Sequence, residues 1–534
     1  MSDPQENSAP PSGLPFLAGP PPIVAPPVIP QVTAAMPKPP MVRRLFGWRL
    51  LRVPLFIAVG LAAMLALLST EEKWRTGRAW KKCRQDLEAR GEKLDSSAFI
   101  PPPVPPEKNF VMTPLLTNTL AGKNPANPLD ARLNRSKLNP TLGNWRVAKP
   151  INLAIWGDYY RQGTNYPVAA QRQTPAADVV YALSKYDQAL DELRTASQRP
   201  QAQFSVRWEA DPNGLLLPHL AVVKGLSQTL ALRAAALLAV DRAEDALADL
   251  RVNWRLMDAL KSEPIILSFM VRVALNEIAI QPVWEGLAAR RWNEAQLAAL
   301  DKELARLDFM GDLIQTLRGE RAYGNALIDQ MMQDRVPPDS LMGEVPGTAA
   351  TPPKSKWYSR VFFPSWMYWR NQTLINRFEQ EMIEALQQSA RQPDLHPPLN
   401  PALTNRWAQR LQKAGPLDAL AKTLLPVVLR VPQQACRAQT AVNLARVGCA
   451  LERFRLAHGV YPEKLSLLAP EFLASVPLDW YVGQPLHYRL KEDGQILLYS
   501  VGANLRDDGG RMVTKEASSA EAEKGDLVWA YSAP

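Results

Sequence analysis

Residues 53–70 read VPLFIAVGLAAMLALLST, eighteen positions without one charged side chain. No other stretch limits the chain so strongly. In hydrocarbon every backbone N–H and C=O must be satisfied within the segment, so the run is a helix. At about 1.5 Å per residue it covers roughly 27 Å, close to the ~30 Å of a bilayer core. Leu50 and Leu51 lengthen it when Arg52 snorkels its charge to the interface. The expectation is a transmembrane helix over residues 50–70 and a single-pass chain. A secretory signal peptide fits poorly, because the apolar run is long and no small-x-small cleavage pattern precedes Glu71 and Glu72. A buried globular helix is the alternative.

The flanks do not orient the segment. Lys38, Arg43, Arg44, Arg49 and Arg52 stand before it, and Lys73, Arg75, Arg78, Lys81, Lys82 and Arg84 after it. The positive-inside rule counts these cations and finds the two sides nearly balanced. Trp48 on one side and Trp74 and Trp80 on the other suit the two interfaces. Upstream, 13 of the 49 prolines fall in the first 40 residues. Proline removes a donor and fixes φ, so residues 1–42 are expected to be a disordered, polyproline-like tail. A spacer is the plain reading, and a ligand for an aromatic-lined groove is the other.

A length of 534 residues exceeds one ordinary domain and predicts two or three folded units. The net charge of +10 is spread along the chain rather than gathered in a basic arm. Nucleic acid is therefore not an expected partner, while anionic lipid headgroups are compatible. Three cysteines, Cys83, Cys436 and Cys449, form no metal spacing. Cys436 and Cys449 share a helical pattern about 20 Å apart by helical rise, too far for a disulfide. All three read as buried apolar residues.

The fold class expected is mainly α: the transmembrane helix, an irregular α-helical array, then a small α+β C-terminal domain. Residues 71–176 read as a membrane-proximal helix to about residue 94, a rigid PPPVPP linker at 101–106, and a loop-rich lead-in. Residues 177–430 carry helical periodicity at 177–197, 217–240, 243–260, 265–288, 293–307, 310–334, 371–391, 405–411 and 417–425. Pro264 suits a helix start, whereas Pro282 is expected to kink or break its helix. Asn293 reads as an N-cap. No copy recurs at a fixed period, so the array is not a true repeat. One cluster interleaves aromatic and basic residues: Lys354, Lys356, Trp357, Tyr358, Arg360, Phe362, Phe363, Trp366, Tyr368, Trp369 and Arg370. Trp357, Trp366 and Trp369 are candidate membrane-interface residues. Alternatively, these rings anchor a long loop on the helical core.

Residues 433–534 carry the most specific pattern. A helix over 433–458 stops at Gly459-Val-Tyr-Pro462. A short element at 464–468 follows, then Val476-Pro-Leu-Asp479. The stretch 484–490 alternates like a strand, Asp493-Gly494 turns, and 495–500 returns. A polar loop holds Asn504, Asp507, Asp508, Gly509 and Gly510, and 525–529 (GDLVW) reads as a last strand.

LERFRLAHGVYP, VPLD, QPLHY, LYSVG, the Gly/Asp loop and GDLVW, in that order, resemble the globular domain of the type II secretion major pseudopilins, over about 100 of the 534 residues. The resemblance implies a calcium site in the last loop, with Asn504, Asp507, Asp508 and Asp526 as ligands, since a hard cation takes six to eight oxygens. It also favours an inner-membrane protein with a cytoplasmic N-terminus and a periplasmic C-terminal part. The departures are large. Gly47 is followed by Trp48, Arg52 stands where pseudopilins have a glutamate, and over 350 residues separate anchor from module. Pilin-type processing is therefore not expected. The whole chain also resembles uncharacterised bacterial envelope proteins that combine an anchor, a Pro-rich linker and a helical middle.

His219, His396, His458 and His487 stand in no metal spacing. No P-loop, G-x-S-x-G or G-x-G-x-x-G occurs. His458 reads as a helix C-terminal residue, His487 as a surface strand residue, and Glu379 and Glu381 as solvated helix-face charges. No catalytic residue, no small-molecule substrate and no cofactor other than calcium is expected. The function expected is a non-enzymatic, membrane-anchored envelope protein that binds protein partners, linked to a secretion or pilus-like system. A structural or lipid-contacting membrane-tethered scaffold is the first alternative, and an enzyme with an unrecognised site the second.

Overall fold

The computed structural model describes residues 42–120, 143–206, 208, 217–333, 364–392, 401–492, 494–511 and 525–530. Contacts divide the chain into residues 1–68 and residues 69–534. The expected disordered tail lies outside the described residues, as does Trp357.

Helix α1 is Val42–Ala89 and contains the charge-free run. The expected anchor and membrane-proximal helix are thus one helix, and Pro54 is tolerated inside it. In the first unit its apolar side chains are bare, with Leu67 72% exposed. Among the described residues two other helices are long and apolar enough to cross a membrane, Pro218–Ala239 and Ile266–Ala288. Both are largely buried inside the second unit, to 78% and 67%.

The second unit is mainly helical. Short helices α2 (Pro114–Leu120), α3 (Leu153–Gln162), α4 (Pro175–Leu183) and α5 (Asp187–Ser197) lead into α6 (Pro218–Ala239), α7 (Ala243–Ala259) and α8 (Ile266–Ala288). Then come α9 (Glu294–Ala305), α10 (Phe309–Met332), α11 (Ser365–Arg391), α12 (Pro401–Lys413) and α13 (Ala419–His458). Helix α3 replaces part of the expected loop-rich lead-in. Its start is set by Asn152, whose side chain accepts from the Ile155 N–H. The helix expected over 177–197 is broken at Ser184–Tyr186 by a tighter 3-10 turn. Pro282 does not end α8, which runs on to Ala288. Asn293 caps α9 as expected, with Gln296 reaching back to close a capping box.

Helix α13 is the spine. It absorbs both expected helices, 417–425 and 433–458, and holds Pro426 and Pro432 within it. From Ala435 to Glu452 every residue except Arg437 and Arg446 is buried. A helix buried on nearly every face belongs at a core centre, and α13 contacts α8, α9, α10 and α11.

The C-terminal strands follow the expected order. β1 (Leu478–Asp479) pairs with β2 (Gln484–Pro485), and β3 (His487–Leu490), β4 (Ile496–Ser500) and β5 (Leu527–Trp529) form an antiparallel sheet in that order. Leu490 faces Ile496, and Ser500 faces Leu527. A domain boundary expected between 430 and 433 falls inside α13. Trp529 explains why the two sides are joined. Its ring lies 5.2 Å from the Trp145 ring, and a Cβ on Gly448 of α13 would come within 2.9 Å of its Nε1. Glycine at 448 therefore lets the last strand dock on the central helix. Trp284 of α8 adds an N–H donated to the Ala530 carbonyl at 3.1 Å. One continuous core runs from Phe110 to Trp529.

Candidate functional site

The loop between β4 and β5 begins at Gly502, whose φ of +66° suits glycine. A side chain there would also meet the Gly525 carbonyl at 2.3 Å. This close approach brings residues 502–510 against 525–526. All four residues expected from sequence gather here. Asn504 donates its amide to Asp508 Oδ2 at 2.8 Å. Asp526 accepts from the backbone N–H of Asp508 at 3.3 Å and of Gly510 at 2.7 Å. Asp507 Oδ1 accepts the Tyr499 hydroxyl at 3.0 Å and the Gly509 N–H at 2.8 Å.

The electrostatics follow from that geometry. Asp507 sits below the usual carboxylate range because the Gly509 N–H and Tyr499 hydroxyl bind its charged form. Asp526 is pushed up, first by burial and also by the neighbouring Asp508 and Asp507, against the pull of its two N–H donors. Three carboxylates and an amide oxygen in one loop fit calcium in kind. Each of these residues already accepts an N–H or O–H donor, with which a cation has to compete. Among the described residues no three His, Cys, Asp or Glu side chains are grouped to hold a metal.

His487 is half-exposed on β3, stacked on Tyr499 at 4.8 Å between ring centroids. His458 ends α13, as the sequence suggested, with Nδ1 3.1 Å from the Phe454 carbonyl. His219 is buried, stacked on Phe204, with Nε2 2.8 Å from Glu263. The three cysteines are free and buried.

Of the aromatic cluster, Trp366, Tyr368, Trp369 and Arg370 lie in the first turns of α11. Trp369 is half-buried, and a Cβ on Gly77 of α1 would come within 3.2 Å of its ring. Tyr368 is buried. Trp369 packs α11 against Gly77 in the second unit's part of α1, while Tyr368 joins the main core.

Sequence reading missed a polar network joining that part of the chain to α10 and α11. Glu92 accepts from Arg318 at 3.0 and 2.9 Å and from Arg321 at 2.5 Å. Arg321 also donates to Gln380 at 2.7 Å, and Asn325 and Asn376 exchange amides at 3.0 and 2.7 Å. Glu379 is corrected here. It is not a solvated charge but only 3% exposed. Burial pushes its carboxyl up to about 8, Arg321 opposes the shift and Glu320 adds to it. Glu381, by contrast, stays near solvent and pairs with Arg410 at 2.7 Å. Nothing local in the sequence marks this difference, since Glu379 and Glu381 differ only in helix face.

A cavity of about 270 Å³ lies beside α8, lined by Asn144, Arg146, Gln228, Glu277 and Gln281 among others. Its one carboxylate, Glu277, is held by Arg146 at 2.6 Å and accepts from the Trp145 indole at 3.2 Å. Comparison with protein families, curated proteins and solved structures finds no match for this chain, so its site stands on its own geometry.

Proposed function

We propose that this chain is a non-enzymatic envelope protein, held by one membrane-spanning helix at residues 50–70, whose folded body binds protein partners at the membrane surface. One observation carries the reading. Among the described residues three helices are long and apolar enough to span, and of these only the window in α1 has no part buried in protein. The other two hold Arg233, Arg272 and Asn276 in ion pairs and hydrogen bonds of the core.

The partner-binding part is the C-terminal sheet with its Gly/Asp loop. The strand order supports the resemblance to pseudopilins, and through it a place near a secretion or pilus-like system of the inner membrane. On this reading the N-terminal tail is cytoplasmic and the body faces outward. Calcium is an optional ligand of the loop, weakly held because it must displace the Asn504 amide and loop N–H donors.

The test is a C-terminal tag probed with protease in spheroplasts. Digestion of the tag supports the outward body. Protection until the membrane is lysed overturns the orientation and the secretion-type partner with it.

A further inference from the structure

Glu277, Gln281 and Glu285 follow one another at four-residue steps and share one face of α8. The first two line the cavity of about 270 Å³, and the third fixes the second. Gln281 Nε2 donates to Glu285 Oε1 at 2.8 Å and to the Lys149 carbonyl at 3.1 Å. A backbone carbonyl only accepts, so this amide stands in one orientation. Both its N–H groups are used, and its oxygen accepts from no donor among the described residues. Gln281 is only 5% exposed, and the cavity it lines is where a donor can reach that oxygen. On the α6 side Gln228 lines the same cavity. It is half-buried, and its side-chain amide has no hydrogen-bond partner among the described residues. Burying amides without partners is unfavourable, so both oxygens and the Gln228 N–H groups are free to serve a ligand.

The charges of the lining answer each other. Arg146 Nη2 meets Glu277 Oε1 at 2.6 Å, and the Trp145 indole donates to Glu277 Oε2 at 3.2 Å. A ligand carboxylate would face Glu277, and a ligand ammonium would face Arg146, so a molecule without net charge fits best. It must still give and take hydrogen bonds. Gln281 and Glu277 take donors, Arg146 supplies them, and Gln228 does both. A hydroxyl donates and accepts at a single atom, so a polyhydroxylated ring satisfies all four in a small space. Ile151, Ala231 and Ile278 add apolar wall for its C–H groups. The volume lies just under the roughly 300–1,000 Å³ of pockets for drug-sized ligands, which sets the size at one sugar ring.

We propose that the cavity between α6 and α8 binds a neutral polyhydroxylated molecule of the size of a single sugar ring, held by Gln228, Glu277, Gln281 and Arg146. The proposal is independent of how the chain meets the membrane. The experiment titrates the full chain in mild detergent with glucose, galactose and mannose, each beside its uronate and its 2-amino form, followed by calorimetry. At least one neutral sugar is expected to bind tenfold more tightly than both of its charged forms. Gln228→Ala, at a position with no bond to the rest of the protein, is expected to weaken that binding at least fivefold with the melting temperature kept. Glu277→Gln leaves Arg146 without its carboxylate, and the preference is expected to swing toward the uronate; Gln228→Ala decides alone if this variant misfolds. No binding by any of the three neutral sugars, equal binding of a charged form, or indifference to Gln228→Ala overturns the proposal.

Discussion

Helix α1 and the pair α6 and α8 are each long and apolar enough to cross a membrane, yet they meet different surroundings. The apolar run of α1 is bare, while α6 and α8 are mostly buried in protein. The difference lies in polar residues at helical spacing. Helix α6 carries Ser227, which donates to Asn253 at 2.7 Å, and Arg233, which donates to Asp249 at 2.6 Å and Asp187 at 2.8 Å. Helix α8 carries Arg272, paired with Asp312 at 2.7 Å, and Asn276, which donates to the Ala438 carbonyl at 3.3 Å. A protein core can satisfy such groups and hydrocarbon cannot. Apolar length alone therefore does not tell a span from a core helix, and the partners of the polar residues do.

The largest effect should come from breaking the core side of this contrast. Asp249 is fully buried and accepts from Arg194 and Arg233, both at 2.6 Å. Asp249→Ala strands buried guanidinium charge and should cost about 3–5 kcal/mol in denaturant unfolding. A loss under about 1 kcal/mol would mean that these ions are not what holds α6 in the body.

On the membrane side, Leu61→Arg puts a charge mid-span and should cost about 2.5–3.5 kcal/mol of insertion. The readout is a smaller carbonate-resistant fraction with the unfolding of the body unchanged. A body destabilised while membrane retention holds would reverse the assignment.

The buried carboxyl of Glu379 sharpens the picture at α11. Its folded value of about 8 lies above the ordinary carboxylate value, because burial favours the neutral form. The folded state then keeps a proton that the unfolded chain releases. That stabilisation is complete below the ordinary value, falls as pH rises toward 8, and is gone above it. Glu379→Gln should flatten the fall between about pH 5 and 8 in melting curves taken against pH. Glu320, also pushed up by burial, leaves part of the slope in place. An unchanged slope would contradict the burial of Glu379.

The smallest effect concerns calcium. Because the loop's oxygens already accept from Asn504, Gly509, Gly510 and Tyr499, millimolar calcium should raise the melting temperature by a few degrees at most. Asp508→Asn should abolish the rise. No rise in the wild type removes calcium from the account.

The legible features of the fold are those written locally. The charge-free run, the periodic helices from α6 to α11 and the hairpin around Gly494 are all set by residues near one another in sequence. Helix α3 was also signalled, by Asn152 before an apolar turn, but it sat in a stretch rich in proline and glycine. The break at 184–186 left no comparable cue. The fused α13 was hidden because Pro426 and Pro432 suggest an end, and tertiary burial overrode them. For the site, the resemblance to pseudopilins pointed to Asn504, Asp507, Asp508 and Asp526, and the close approach at Gly502 brings them together. Pairs such as Glu92 with Arg318, 226 residues apart, have no local signature. The groove between α11, α12 and α13 escaped for the same reason: Arg377, Lys413 and Leu425 line it only when three helices pack.

The central claim is that residues 50–70 alone cross the membrane. It is tested most directly by single cysteines at Arg242, between α6 and α8, and at Lys491, in the β3–β4 turn, labelled in intact and lysed cells with a membrane-impermeant maleimide. Both positions are exposed, whereas Cys83, Cys436 and Cys449 are buried. One span predicts that Arg242→Cys and Lys491→Cys react on the same side of the membrane. Reaction on opposite sides would mean that α8 crosses as well, and would contradict the account.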